Sequence, residues 1–157
     1  MKTEYAICIV FFVMSVVMAI QDIKTQKVSR VFSIILLLVM VAARIFFNEG
    51  DERVGFIASS VIGLVLYEAV RFITKKKLGL ADVFYSGSTG ALLGFDMWLA
   101  SCAIACVAAA CIIAFRIRKA PPEKKVNGMA EILRIPVPFV PCMFLGSIVS
   151  KAIIFFA

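Results

Sequence analysis

The amino-acid sequence predicts an all-α, polytopic membrane protein, a bundle of about six transmembrane helices with its N-terminus outside. Hydrophobic residues make up 62% of the chain, against roughly 45–50% in a soluble domain, and the mean hydropathy is +1.01. Only 17% of the residues are charged, and they cluster between long apolar runs. No segment is both long and polar enough to fold separately in water, so residues 1–157 are expected to form a single membrane-embedded domain.

Six apolar segments define the predicted helices. They comprise residues 5–20, 31–47, 54–73, 83–95, 97–115 and 135–156. The fourth is shorter than the roughly 17–25 residues that cross a bilayer unaided. We expect it to be tilted, shielded within the bundle, or joined to the fifth by a tight turn at residues 94–96. Helix is expected throughout the membrane, because each backbone polar group in lipid needs an internal partner.

The first segment could be mistaken for a cleavable signal sequence, because residues 17–19 resemble a cleavage site. The charge before it is weak, since Glu4 offsets Lys2. Three basic residues follow it, namely Lys24, Lys27 and Arg30. We therefore expect a permanent span whose C-terminal end faces the cytoplasm.

The distribution of positive charge along the chain supports the same orientation. With the N-terminus outside, all but four of the 17 lysines and arginines fall on the inner side, the exceptions being Lys2, Arg44, Arg53 and Lys151. Basic residues between spans mark cytoplasmic loops, so the net charge of +7 does not indicate nucleic-acid binding. Anionic lipid headgroups are the expected partner of these lysines.

The five cysteines form no CxxC pair, and the chain contains no histidine. Cys102 and Cys106 share a helix face, but their surroundings are apolar, where free cysteine acts as a small hydrophobe. We expect packing roles for the cysteines and neither a metal nor another cofactor.

Ionisable residues near the membrane are functional candidates. Arg44 lies one turn from the outer end of its span and is expected to snorkel to the interface. Glu68 and Arg71 are three residues apart and are expected to form a local ion pair, with contact to a substrate as the alternative for Glu68.

Asp22 and Asp82 are expected at the same membrane face. The first span runs inward and ends at Ile20, and the fourth starts on the inside at Val83. Two carboxylates 60 residues apart would then lie in one plane. Position alone is equally compatible with two solvated boundary charges.

The residues around both aspartates follow a recognisable pattern. Asp22 opens the basic segment DIKTQKVSR, and Asp82 closes GLAD before a helix rich in small residues. The last segment begins with the proline-rich run IPVPFVP at residues 135–141. In order and spacing, these features resemble the prepilin peptidases, the bacterial branch of the GxGD membrane aspartic proteases, over essentially the whole chain.

Three positions depart from that family pattern. Ala81 replaces the second glycine of the motif, residues 29–30 replace Pro-Asn, and Phe84 stands where a lysine is usual. Alanine keeps its position small. Nothing in the chain matches the cysteine-rich zinc and methyltransferase segment of the large members, and it resembles the short, peptidase-only members that serve Flp-type pili.

The resemblance implies a membrane aspartic endopeptidase that cleaves the short basic leader from type IV pilin-like precursors at the cytoplasmic membrane face. Asp22 and Asp82 would be the catalytic pair, Gly79 and Ala81 would support the motif, and Glu68 is a possible substrate contact. Two carboxylates this close share one proton and titrate as a pair, so the chemistry requires no metal.

Three alternatives stay open at this point. One is an inactive member of the family. Another is a non-enzymatic membrane protein, either a small transporter or a pilus-assembly subunit, although the chain shows no inverted repeat typical of many transporters. A third is a presenilin-like protease that cuts within the bilayer, whose aspartates would lie inside the spans and not at their ends.

Overall fold

The chain forms a bundle of helices that crosses the membrane several times. The computed structural model describes residues 2–25, 28–74, 78–119 and 139–156. Every element within these ranges is a helix, in the order α1 (Lys2–Thr25), α2 (Arg30–Phe47), α3 (Gly50–Ile73), α4 (Leu80–Leu93), α5 (Phe95–Lys119) and α6 (Phe139–Phe156). This confirms the predicted fold class.

Four of the helices contain stretches long and apolar enough to cross a membrane. These are Glu4–Thr25, Arg30–Phe47, Gly50–Ile73 and Phe95–Phe115, and α6 adds a shorter apolar stretch, Phe139–Ile153. Apolar side chains such as Val13, Leu38, Val65 and Val107 are exposed on the outer faces of these helices, where lipid would solvate them. The start of the proline-rich run, residues 135–138, lies outside the described residues.

The short helix α4 occupies the centre of the bundle. It contacts each of the other five helices, and all its residues except Leu80, Asp82 and Phe84 are buried. Gly94 ends it with φ 75°, a left-handed conformation that favours glycine, and α5 starts at the next residue. Shielding within the bundle and a tight turn into the fifth segment, two of the predicted options, therefore both apply.

Two glycines allow helices to approach at backbone contact. A Cβ atom on Gly90 of α4 would lie 2.6 Å from the carbonyl oxygen of Ser59 on α3, and one on Gly146 of α6 would lie 2.3 Å from that of Ser101 on α5. Both distances are shorter than any normal contact between non-bonded atoms. Small residues at crossings are how membrane helices gain van der Waals packing.

Arg44 points into the bundle, so the prediction that it snorkels to the interface is wrong. Its side chain is 1% exposed. Its Nε donates to the Ala91 carbonyl oxygen and its Nη2 to that of Leu92, both at 2.8 Å, and its Nη1 pairs with Glu4. The last carbonyls of a helix lack intrahelical partners, and α4 is enclosed by the other helices, so the guanidinium supplies the donors that water would supply at an exposed end.

Candidate active site

One end of the bundle gathers the end of α1 and the beginnings of α4 and α6. At the opposite end, Arg44 joins Glu4 near the start of α1 to the last carbonyls of α4, so α1 and α4 run in opposite directions. Asp22, one turn from the end of α1, and Asp82, in the first turn of α4, therefore lie at the same end. They are close enough for the charge of Asp22 to act on the Asp82 carboxyl.

Asp22 lies within a helix and not beyond one. The apolar run stops at Ile20 as expected, but α1 continues to Thr25, because backbone hydrogen bonds propagate a helix irrespective of side-chain polarity. The Asp22 side chain is 7% exposed. Its Oδ2 accepts a hydrogen bond of 3.2 Å from the Val140 N–H, and the Phe139 N–H donates to the same carboxylate.

Asp82 is held by the residue that precedes its helix. Its Oδ2 accepts the N–H of Gly79, the N-cap residue, at 3.1 Å. An acidic third residue commonly satisfies this donor at a helix start. Ala81 beside it is buried.

Gly79 supports the motif through the small size of its side chain and not through an unusual backbone conformation. Its φ of −70° and ψ of 146° are values that any residue adopts. A Cβ atom there would lie 3.0 Å from the Asp82 Oδ2, which is closer than ordinary contact. The missing side chain therefore leaves room for the carboxylate.

The surroundings of Asp82 favour the protonated form of its carboxyl group. Asp82 lies outside the four stretches that can span a membrane. Burial raises the pKa of its carboxyl to about 7, the neighbouring charge of Asp22 contributes in the same direction, and the Gly79 N–H opposes the change. Near neutral pH the pair can therefore hold one proton between two carboxylates.

Tyr67 is a neighbour of the pair that the sequence analysis did not single out. It is buried on α3, and its hydroxyl lies within electrostatic reach of Asp82 and donates to the Cys102 Sγ at 3.5 Å. Its ring centroid is 6.3 Å from that of Phe139. The only sequence signal was a polar aromatic residue beside Glu68 in the inner half of a span.

Glu68 forms the expected ion pair with Arg71, at 2.7 Å between Oε1 and Nη1. About half of its side chain is exposed, because it points roughly 100° around the helix from Tyr67. The structure therefore directs Tyr67, and not Glu68, towards Asp82.

Two carboxyl groups that share a proton can act as an acid–base pair on one bound molecule. The ionised member can take a proton from water while the protonated member donates one to an oxygen atom. Among the described residues, no three histidine, cysteine or acidic side chains cluster as metal ligands would.

Comparison with known protein families gives a match. The sequence model of the type IV leader peptidase family matches residues 9–114, a range that contains both aspartates and excludes α6. Comparisons with curated proteins and with solved structures gave no match.

Proposed function

The chain belongs to the type IV leader peptidase family, and we propose that it is an aspartic-type endopeptidase that removes the short basic leader from pilin-like precursors. The observation that carries this proposal is the meeting of Asp22 and Asp82 at one end of the bundle. Both lie within the matched range, and their partners are backbone N–H groups that position each carboxylate.

In the proposed reaction, a water molecule lies between the two carboxyl groups and the scissile carbonyl. The ionised carboxylate takes a proton from water as its oxygen attacks the carbonyl carbon. The protonated carboxyl gives its proton to the carbonyl oxygen, which produces a neutral tetrahedral intermediate. Collapse of that intermediate breaks the C–N bond, and the amine leaves with the proton first taken from water.

The position of the pair favours cleavage at a membrane face. Asp22 lies one turn from the end of α1, and Asp82 lies in the first turn of α4, so neither is at mid-depth as in a protease that cuts within the bilayer. The distribution of lysine and arginine supports an orientation in which this face is cytoplasmic. The protein would then act in the cytoplasmic membrane.

The substrate would approach as a membrane helix. A pilin-like precursor carries its leader directly before an apolar helix, which could lie against the lipid-facing side of the bundle. Its cytoplasmic end would then reach the aspartates. Glu68 stays a proposed contact for the leader, since its carboxylate is half-exposed near the inner end of α3.

Co-expression with a pilin-like precursor tests this function. Cleavage should produce a smaller product on a gel, with a new N-terminus directly before the apolar helix. Asp96→Asn serves as a matched control, because Asp96 is exposed at the start of α5, at the other end of the bundle. A non-enzymatic membrane protein or an inactive family member would leave every precursor tested uncleaved.

A further inference from the structure

The two aspartates differ in the backbone donors that surround them. Asp22 accepts hydrogen bonds from two N–H groups, those of Phe139 and Val140. These are the first two residues of α6, and the N–H groups of a first helical turn have no intrahelical acceptors. The next residue, Pro141, carries no N–H. The start of α6 thus directs its first two donors to one carboxylate.

Asp82 accepts one backbone N–H, from Gly79. It also lies at a helix start, so the dipole of α4 favours its ionised form to some degree. Asp22 gains the same type of stabilisation from α6, although the C-terminal end of its own helix α1 opposes it, and it has one more donor. Hydrogen bonds from N–H groups to an ionised carboxylate are stronger than those to a neutral one. The second donor therefore favours placing the negative charge on Asp22.

From this geometry we propose that the N-terminus of α6 holds Asp22 as the ionised general base and leaves Asp82 to carry the shared proton as the general acid. The catalytic half of this assignment rests on the proposed peptidase function, while the location of the charge does not. Phe139 and Val140 are then positioning residues that act through their N–H groups. They belong to a helix that lies beyond the range matched by the family model.

The assignment fixes the path of each proton. Asp22 removes one from water, and the new hydroxyl oxygen bonds to the carbonyl carbon. Asp82 protonates the carbonyl oxygen. As the intermediate collapses, Asp22 passes its proton to the leaving nitrogen and Asp82 regains one from a hydroxyl group. Both carboxyls return to their starting states, with one water consumed.

Among the described residues, the titratable groups that neighbouring helices bring towards the pair include a tyrosine and two cysteines. Tyr67 on α3 lies within electrostatic reach of Asp82, and Cys142 on α6 lies within electrostatic reach of Asp22. Cys102 on α5 accepts a hydrogen bond from the Tyr67 hydroxyl. Arg30 at the start of α2 is exposed. Burial that raises the pKa of Asp82 to about 7 agrees with a proton on that residue.

The test replaces one donor and measures carboxyl protonation by infrared spectroscopy on the intact protein in nanodiscs, without substrate. Val140→Pro removes the N–H, and proline is tolerated in the first turn of a helix. Val140→Ala keeps the N–H and controls for the lost side chain. We expect the lower apparent pKa of the pair to rise by about one unit or more in Val140→Pro and to stay unchanged in Val140→Ala. Equal titrations of the two variants would overturn the proposal.

Single aspartate variants provide a second measurement, which holds even if Val140→Pro does not fold. Between the two apparent pKa values of the pair, Asp82→Asn should abolish the protonated carboxyl band of the wild type, and Asp22→Asn should retain it at mildly acidic pH. A band that persists in Asp82→Asn and disappears in Asp22→Asn would reverse the assignment. Neither measurement requires cleavage, so failure to process a precursor would count against the peptidase function alone.

Discussion

The Nε atom of Arg44 donates to the carbonyl oxygen of Ala91 at 2.8 Å, across 47 residues of sequence. With a second bond to Leu92, it caps the buried end of α4, the helix whose other end carries Asp82. The Phe56 ring packs against the same guanidinium, with 3.8 Å between the Arg44 Cζ atom and the ring centroid. One basic side chain thus holds the end of the central helix in place within the bundle.

Arg44→Met should destabilise the protein strongly. The methionine keeps an apolar stem but leaves the buried carbonyls of Ala91 and Leu92 without their donor, and each unsatisfied buried acceptor costs about 1–3 kcal/mol. Thermal unfolding in detergent should show a lower midpoint, with less protein in the membrane. Arg71→Met is the control, because its partner Glu68 is half-exposed and exposed ion pairs contribute little. Equal midpoints for the two variants would exclude a capping role.

Asp22→Asn and Asp82→Asn should each abolish precursor cleavage while the protein still inserts and accumulates. Asparagine is nearly isosteric with aspartate but cannot exchange the proton, and acid–base groups contribute about 10²–10⁴-fold in rate. Because the two act as one unit, the double variant should be hardly slower than either single one. Cleavage rates on a verified precursor measure this.

Two further variants accompany these. Asp96→Asn is the control and should process the precursor at the wild-type rate. Glu68→Gln tests the proposed substrate contact, because loss of that contact should raise KM more than it lowers kcat. Wild-type rates in both single aspartate variants would exclude the peptidase function.

Cleavage should slow as the pH rises through about 7. The raised pKa of Asp82 means that its carboxyl is protonated below that value and ionised above it. Above it both carboxylates are charged, and no group remains to protonate the carbonyl oxygen. Rates in proteoliposomes with the same buffer on both sides would show the decline. A rate that kept increasing through pH 9 would contradict a proton donor at this position.

Gly90→Ala should separate α3 from α4. A helix interior ordinarily prefers alanine by about 1 kcal/mol, but the added Cβ would lie 2.6 Å from the Ser59 carbonyl oxygen. Overpacking of this kind costs about 1–3 kcal/mol, so the unfolding midpoint should fall. Gly55→Ala is the matched control, since nothing lies within 4 Å of a Cβ at that position of α3. A midpoint for Gly90→Ala at or above that of Gly55→Ala would show that the helices move apart without cost.

The orientation of the bundle can be tested with single cysteines in a background free of the five native ones. A cysteine at Asp51, at the exposed start of α3, should react with an impermeant thiol reagent from outside the cell. A cysteine at Arg118, which is exposed near the end of α5, should react only after permeabilisation. The reverse pattern would place Asp22 and Asp82 on the outer face.

Much of the site could be anticipated from the sequence because it depends on local patterns. Hydropathy located the apolar segments, and their alternating direction predicted that Asp22 and Asp82 would share one face. The family resemblance rested on residues near each aspartate. Side-chain polarity, however, placed the end of the first span at Ile20, whereas backbone hydrogen bonding carries α1 through Asp22 to Thr25.

Contacts between distant segments were decided only by the tertiary structure. Hydropathy alone predicted that Arg44 reaches the interface, because the sequence of a single span does not indicate that a neighbouring helix ends inside the bundle. Likewise, the N–H of Val140 reaches Asp22 across 118 residues, and backbone donors have no signature in residue type. By itself, the sequence determined which segments are apolar enough to enter the membrane, and it predicted that the two carboxylates lie at the same end of the bundle. Packing determined which polar groups meet there, because a buried donor or acceptor must find its partner wherever the fold places one.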